Sequence, residues 1–84
     1  MQAFNKTRFQ QAYQIAMAEQ APQMYRELIK TKALKQHLQE TAEEAQQMYD
    51  YTVKHLKSTQ GMSHTEAGLV AAEIVFADMI QFPQ

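Results

Sequence analysis

Residues 22–59 read PQMYRELIKTKALKQHLQETAEEAQQMYDYTVKHLKST, and after Pro22 this stretch contains neither proline nor glycine. Its dominant residues, Ala, Leu, Met, Gln, Glu and Lys, lose little side-chain freedom in a helix and carry high helical propensity. Within it Met24, Leu28, Thr31, Lys35, Leu38, Ala42, Ala45, Tyr49, Thr52 and Leu56 recur at alternating spacings of four and three. That is a heptad seam. Thr31 and Lys35 interrupt its apolar character, Ala42 and Ala45 make it narrow enough for a neighbouring helix to approach closely, and Val53 widens it. A single helix over the whole stretch extends about 55 Å at ~1.5 Å per residue, against a radius of gyration of about 12 Å for a compact chain of this size. Such a helix overhangs its own domain. Its seam is then covered by a partner, or by the two flanking segments packed along opposite halves of it.

Upstream, Asn5 is placed to cap a first helix, with Phe4 before it and Phe9 at the fourth helical position forming a hydrophobic staple. Phe9, Ala12, Tyr13, Ala16 and Met17 line one face of that helix. Pro22 disfavours helical geometry at Ala21, so the first helix ends near Gln20 or kinks there, and proline at the first turn of a second helix fits equally well. Downstream, Gly61 follows the last periodic residues as a left-handed cap, placing Met62 against Leu56. Ser63-His64-Thr65-Glu66 has the spacing of a capping box, so a third helix runs to about Gln81, before Pro83. It is apolar nearly all round through Ala67, Leu69, Val70, Ala71, Ala72, Ile74, Val75, Phe76, Met79 and Ile80, with Glu66, Glu73 and Asp78 as exceptions. Helices of that kind are buried on several sides. In a chain of 84 residues without cysteine, association is the remaining means of covering such a surface.

The expected fold is therefore all-α: one domain over residues 1–84, with three helices, one short, one long and central, one apolar and C-terminal, in a bundle completed by dimerisation. The expected interface residues are Leu28, Leu38, Ala42, Ala45, Tyr49, Leu56, Val70, Ile74, Phe76 and Ile80. A heterologous helical partner would bind in the manner of a helix in a groove, with Ile74, Phe76 and Ile80 as its anchors.

The net charge of −1 conceals an asymmetry. Residues 1–36 carry six Lys/Arg and two Glu, hence +4, while residues 37–84 carry two Lys and seven Asp/Glu, hence −5. The basic cluster Arg26, Lys30, Lys32 and Lys35 precedes the acidic Glu40, Glu43, Glu44 and Asp50, an order that favours antiparallel self-pairing through charge complementarity, while Lys35 at a seam position fits a fixed register in a parallel pair as well. The same cluster, with Lys6 and Arg8, is the best candidate for phosphate contacts. It spreads around its helix, however, and the C-terminal helix offers acids and apolar side chains where a recognition helix offers Arg, Lys, Asn or Gln to base edges.

Chemistry is sparse. His37, Glu40 and Glu44 share one helix face at i, i+3 and i+7, a spacing able to present nitrogen and carboxylate ligands, yet the Glu-x-x-His order of helical di-iron proteins is missing. A solvated, charge-paired face explains them as well. Tyr51 with His55, and Asp50 with Lys54, are neighbours at i, i+4. Ser58, Thr59 and Ser63 surround a helix junction where capping accounts for hydroxyls, and no Gly-rich phosphate loop, His-Glu-x-x-His or Gly-x-Ser-x-Gly motif occurs. No cofactor or metal is expected. The segment MQAFNKTRFQ lacks the basic flank and apolar run of a secretory signal, and no run approaches the roughly 18 apolar residues of a membrane span, so a cytoplasmic location without membrane contact is expected. The resulting expectation is a non-enzymatic protein-interaction module, an adaptor, small chaperone or regulatory partner, acting as a helical homodimer. The alternative is a nucleic-acid-associated regulator working through the basic cluster.

Overall fold

The structure is a computed structural model and describes residues 4–82; Pro83 lies outside the described residues. These form four α-helices and no strand: α1 (Lys6–Gln20), α2 (Pro22–Lys30), α3 (Leu34–Thr59) and α4 (His64–Met79). The helical bundle expected from the pattern is present, but the helix count is four, because the long central helix is broken after Lys30.

The break is a complete C-terminal capping motif built without glycine. Ala33 N–H donates to the Leu28 carbonyl at 2.9 Å and Lys32 N–H to the Ile29 carbonyl at 3.1 Å, the two nested bonds that close a helix when the residue after its C-cap turns left-handed. That residue is Lys32, with φ 61°, and no other non-glycine residue described here has positive φ. The Thr31 hydroxyl donates back to the Glu27 carbonyl at 2.9 Å. The turn folds Tyr25 and Leu28 of α2 onto the core, a gain of buried apolar area that a straight helix would forgo.

The other boundaries follow their local signals. Asn5 Oδ1 accepts from the Arg8 amide at 3.1 Å, and the Phe4 and Phe9 rings meet with centroids 5.8 Å apart, so the predicted cap and staple are both formed. α1 ends at Gln20, and Pro22 occupies the first turn of α2; α1 and α2 are thus separate helices. Gly61 has φ 67°, and the Met62 amide reaches the Leu56 carbonyl at 3.4 Å. Ser63 Oγ accepts from the Glu66 amide at 3.2 Å. α4 stops at Met79, two residues short of the expected end.

α3 is the spine. α4 returns antiparallel along it and makes the most extensive helix contact, while α1 covers its N-terminal half. Ring contacts fix the direction of α1: Phe4 stacks on Tyr49, with centroids 5.1 Å apart, and Tyr13 lies beside His37. The main core joins Phe4, Phe9, Tyr13, Met17, Ala42, Ala45 and Val75; a second cluster joins Val53, Ala67 and Ala71. The seam is thus covered within the chain, but not by halves: α4 packs along both parts of α3, through Ala67 and Ala71 in the second cluster and Val75 in the main core, and α1 overlies only the N-terminal part. The described part measures 46 × 23 × 17 Å.

Candidate functional site

The ten residues expected at an interface are distributed within the chain. Ala42 and Ala45 are fully buried in the main core. Their small side chains do what the pattern implied, admitting neighbours closely, and the neighbours in this chain are its own α1 and α4. Leu28, Leu38, Tyr49, Phe76 and Ile80 are half-buried against the same core, and Leu56 against the second cluster. Val70 and Ile74 are half-buried on α4. Phe76, which helix-in-groove binding would use as an anchor, instead meets Phe4 and Phe9 edge-on, at 6.1 and 5.5 Å between centroids.

The apolar side chains left in solvent are different ones. Ile29 is 50% exposed, Met24 39%, Leu69 59%, Ile15 61% and Tyr51 71%. Two of these, Met24 and Ile29, lie on α2, a helix whose residues Met24, Tyr25, Leu28 and Ile29 form one apolar side at i, i+1, i+4 and i+5. No residue of α2 is buried. Tyr25 and Leu28 touch the core from one edge, and the Gln14 amide donates to the Tyr25 hydroxyl at 3.2 Å, but the rest of the apolar side is open. Ile29 escaped the heptad reading because it stands one position beside the seam at Leu28; a stripe widened to a helical period of 3.6 includes it.

The possible metal ligands diverge. His37 turns inward, and its Nε2 shares a hydrogen bond of 2.9 Å with the Tyr13 hydroxyl, whereas exposed Glu40 accepts from the Gln36 side-chain amide at 2.9 Å. Among the described residues no three His, Asp or Glu side chains are grouped as metal ligands. Burial raises the Tyr13 phenol above its ordinary value, and nearby Glu44 adds to the rise while Thr41 opposes it. Tyr49 is raised in the same direction by burial and by Asp50. Both effects disfavour a phenolate in low-dielectric surroundings.

The hydroxyls near the α3–α4 junction serve the backbone: Ser58 and Thr59 both donate to the His55 carbonyl, at 3.3 and 2.6 Å. Tyr51 and His55 stack on the outside of α3 with an interplanar angle of 14°. Close by, Asp50, Val53, Lys54, Lys57, Ser58 and His64 line a shallow open groove of about 380 Å³, a feature that the sequence pattern did not single out.

Arg26, Lys30, Lys32 and Lys35 are all exposed around the α2–α3 joint. Lys6 and Arg8 do not join them. They occupy the first turn of α1, at the end marked by Phe4 and Tyr49, and Tyr49 lies roughly 22 Å along α3 from Leu34, at ~1.5 Å per residue. No helix of the described residues is long and apolar enough to cross a membrane. Comparison of the chain with models of known protein families, with curated proteins and with solved structures finds no match.

Proposed function

We propose that this chain is a non-enzymatic protein-interaction module that works as a helical homodimer, with an adaptor, small-chaperone or regulatory role in the cytoplasm. The observation that carries the reading is α2: an amphipathic helix with an apolar side, none of whose residues is buried. Apolar side chains left in water forgo burial free energy, and a second copy is the occupant that the opposite charges of the two halves of the chain favour. The self-association is tested by light scattering on size-exclusion fractions across a dilution series at low and high salt. The expected result is a dimer that dissociates on dilution, sooner at high salt and sooner again for Ile29→Glu. A monomer at every concentration overturns the reading.

Nucleic-acid association is the second reading, supported by the exposure of Arg26, Lys30, Lys32 and Lys35 around one joint. Retention on immobilised nucleic acid that falls steeply with salt supports it. Unretained passage at low salt removes it.

A further inference from the structure

The heptad seam runs through residues 31–33 without a gap, but the backbone there is bent by a lysine at φ 61°. Left-handed geometry is unfavourable for a residue with a Cβ, and the usual occupant of this capping position is glycine. The same segment, TKALK, has good helical propensity. Sequence and structure therefore disagree at a single residue, and on one side of it lies a helix with no buried residue. Straightening the joint would create one helix over residues 22–59, about 55 Å long at ~1.5 Å per residue, longer than the 46 Å of the whole described structure.

Resting on the homodimer reading, we propose that Lys32 is a hinge, and that the dimer forms by exchange: α2 and α3 join into one helix, and α1 with α2 of each copy docks on α3 and α4 of the other. The contacts exchanged are those already present in one chain, so no new complementary surface is required; short hinge segments under strain are the usual sites of such swapping. In an antiparallel pair related by a two-fold axis at Ala33, Arg26, seven positions before the pivot, lies beside Glu40 of the partner copy, seven positions after it. In the same register Leu28 and Ile29 lie opposite Leu38 and His37 of the partner copy, which covers Ile29, and the two Leu34 meet at the crossing. The exchanged arm comes from the +4 half of the chain, and the surface receiving it lies largely in the −5 half.

Two hinge variants and one contact measurement test the proposal. Lys32→Gly relieves the left-handed residue in the closed chain and weakens the straight helix, so it disfavours opening about 20-fold per hinge and raises the dimer Kd about 400-fold, both hinges being straight in the dimer. The double variant Thr31→Ala with Lys32→Ala strengthens the straight helix and lowers Kd roughly tenfold. In a dimer of mixed isotope-labelled and unlabelled chains, the Phe9–Phe76 ring contact, 5.5 Å within one chain here, appears between chains. A dimer whose Kd ignores both variants, or in which Phe9 and Phe76 meet only within a chain, overturns the hinge and leaves the homodimer standing. A wild-type chain that stays monomeric overturns both.

Discussion

Ala45→Leu tests whether the narrow waist of α3 is an internal packing site. Ala45 is fully buried, in a core with Phe4, Phe9, Tyr13, Met17, Ala42 and Val75. Three added carbons would gain up to about 2.4 kcal/mol of transfer free energy if there were space for them, at ~0.8 kcal/mol each. The site is closed, so α1 or α4 must move outward or the leucine must adopt a strained rotamer, and the net effect of overfilling a packed core is a loss of about 1–3 kcal/mol. That is a large share of the ~5–15 kcal/mol that holds a typical domain together. With a urea slope of about 1.5 kcal/mol per molar for a small protein, a 3 kcal/mol loss moves the unfolding midpoint down by about 2 M. Circular dichroism during urea titration, at two protein concentrations a decade apart, measures it. Ala77→Leu, on the exposed side of α4, serves as a control and should shift stability by less than about 0.5 kcal/mol. An unchanged Ala45→Leu midpoint, or a shift confined to the higher concentration, would refute the intrachain waist.

Three further substitutions probe the rest of the fold. Phe9→Ala removes a fully buried ring in contact with Phe4, Tyr13 and Phe76 and should cost about 3–5 kcal/mol, enough to broaden or abolish thermal unfolding followed at 222 nm. Gly61→Ala meets no atom within 4 Å, so the expected loss of about 1 kcal/mol comes from φ alone; a loss near zero in chemical denaturation would mean that the turn relaxes. Tyr13 has a raised pKa, so the folded chain holds the phenol proton more tightly than the unfolded one. Its contribution is complete below the unfolded pKa of about 10 and is lost as pH climbs from there through the folded value. Tyr13→Phe should therefore flatten the alkaline fall in stability while losing roughly 1 kcal/mol at pH 7 with the His37 hydrogen bond.

The boundaries that local chemistry controls were readable in advance. Asn5 with the Phe4–Phe9 staple, Pro22, Gly61 and Ser63 each act within one turn of chain, and each stands where its residue type requires. The break at Thr31–Ala33 was not readable, because no glycine or proline marks it and the cap is completed by a lysine in a conformation that lysine disfavours. What stabilises the bend is tertiary: Tyr25 and Leu28 reach the core only if α2 turns. The one trace in the sequence is the polar pair Thr31 and Lys35 in the seam. A similar limit applies to His37, Glu40 and Glu44. Periodicity places them on one face of α3, but only the path of α1, which brings Tyr13 over His37 and leaves Glu40 in water, separates them.

The split of the long helix also changes what a dimer can be made of. Had the seam stayed exposed over 55 Å, two chains could have zipped along it; with the seam covered by α1 and α4, the apolar surface still open on α2 amounts to roughly nine-tenths of one side chain per copy, the sum of the exposed fractions of Met24 and Ile29. Burying that on both copies is worth about 4 kcal/mol, taking ~2 kcal/mol per fully buried side chain. Association costs about 4–15 kcal/mol in lost translational and rotational freedom before any contact is made, so a face-to-face dimer on α2 is at best marginal. Exchange faces the same association cost, and the α1–α3 and α2–α3 packing that each copy recovers from its partner only restores what it gave up. The net gain is therefore the relief of the left-handed Lys32, about 1–2 kcal/mol per copy, together with the covering of Ile29. The smaller the residual patch, the more a dimer of this chain depends on the hinge, and the more its Kd must respond to residue 32.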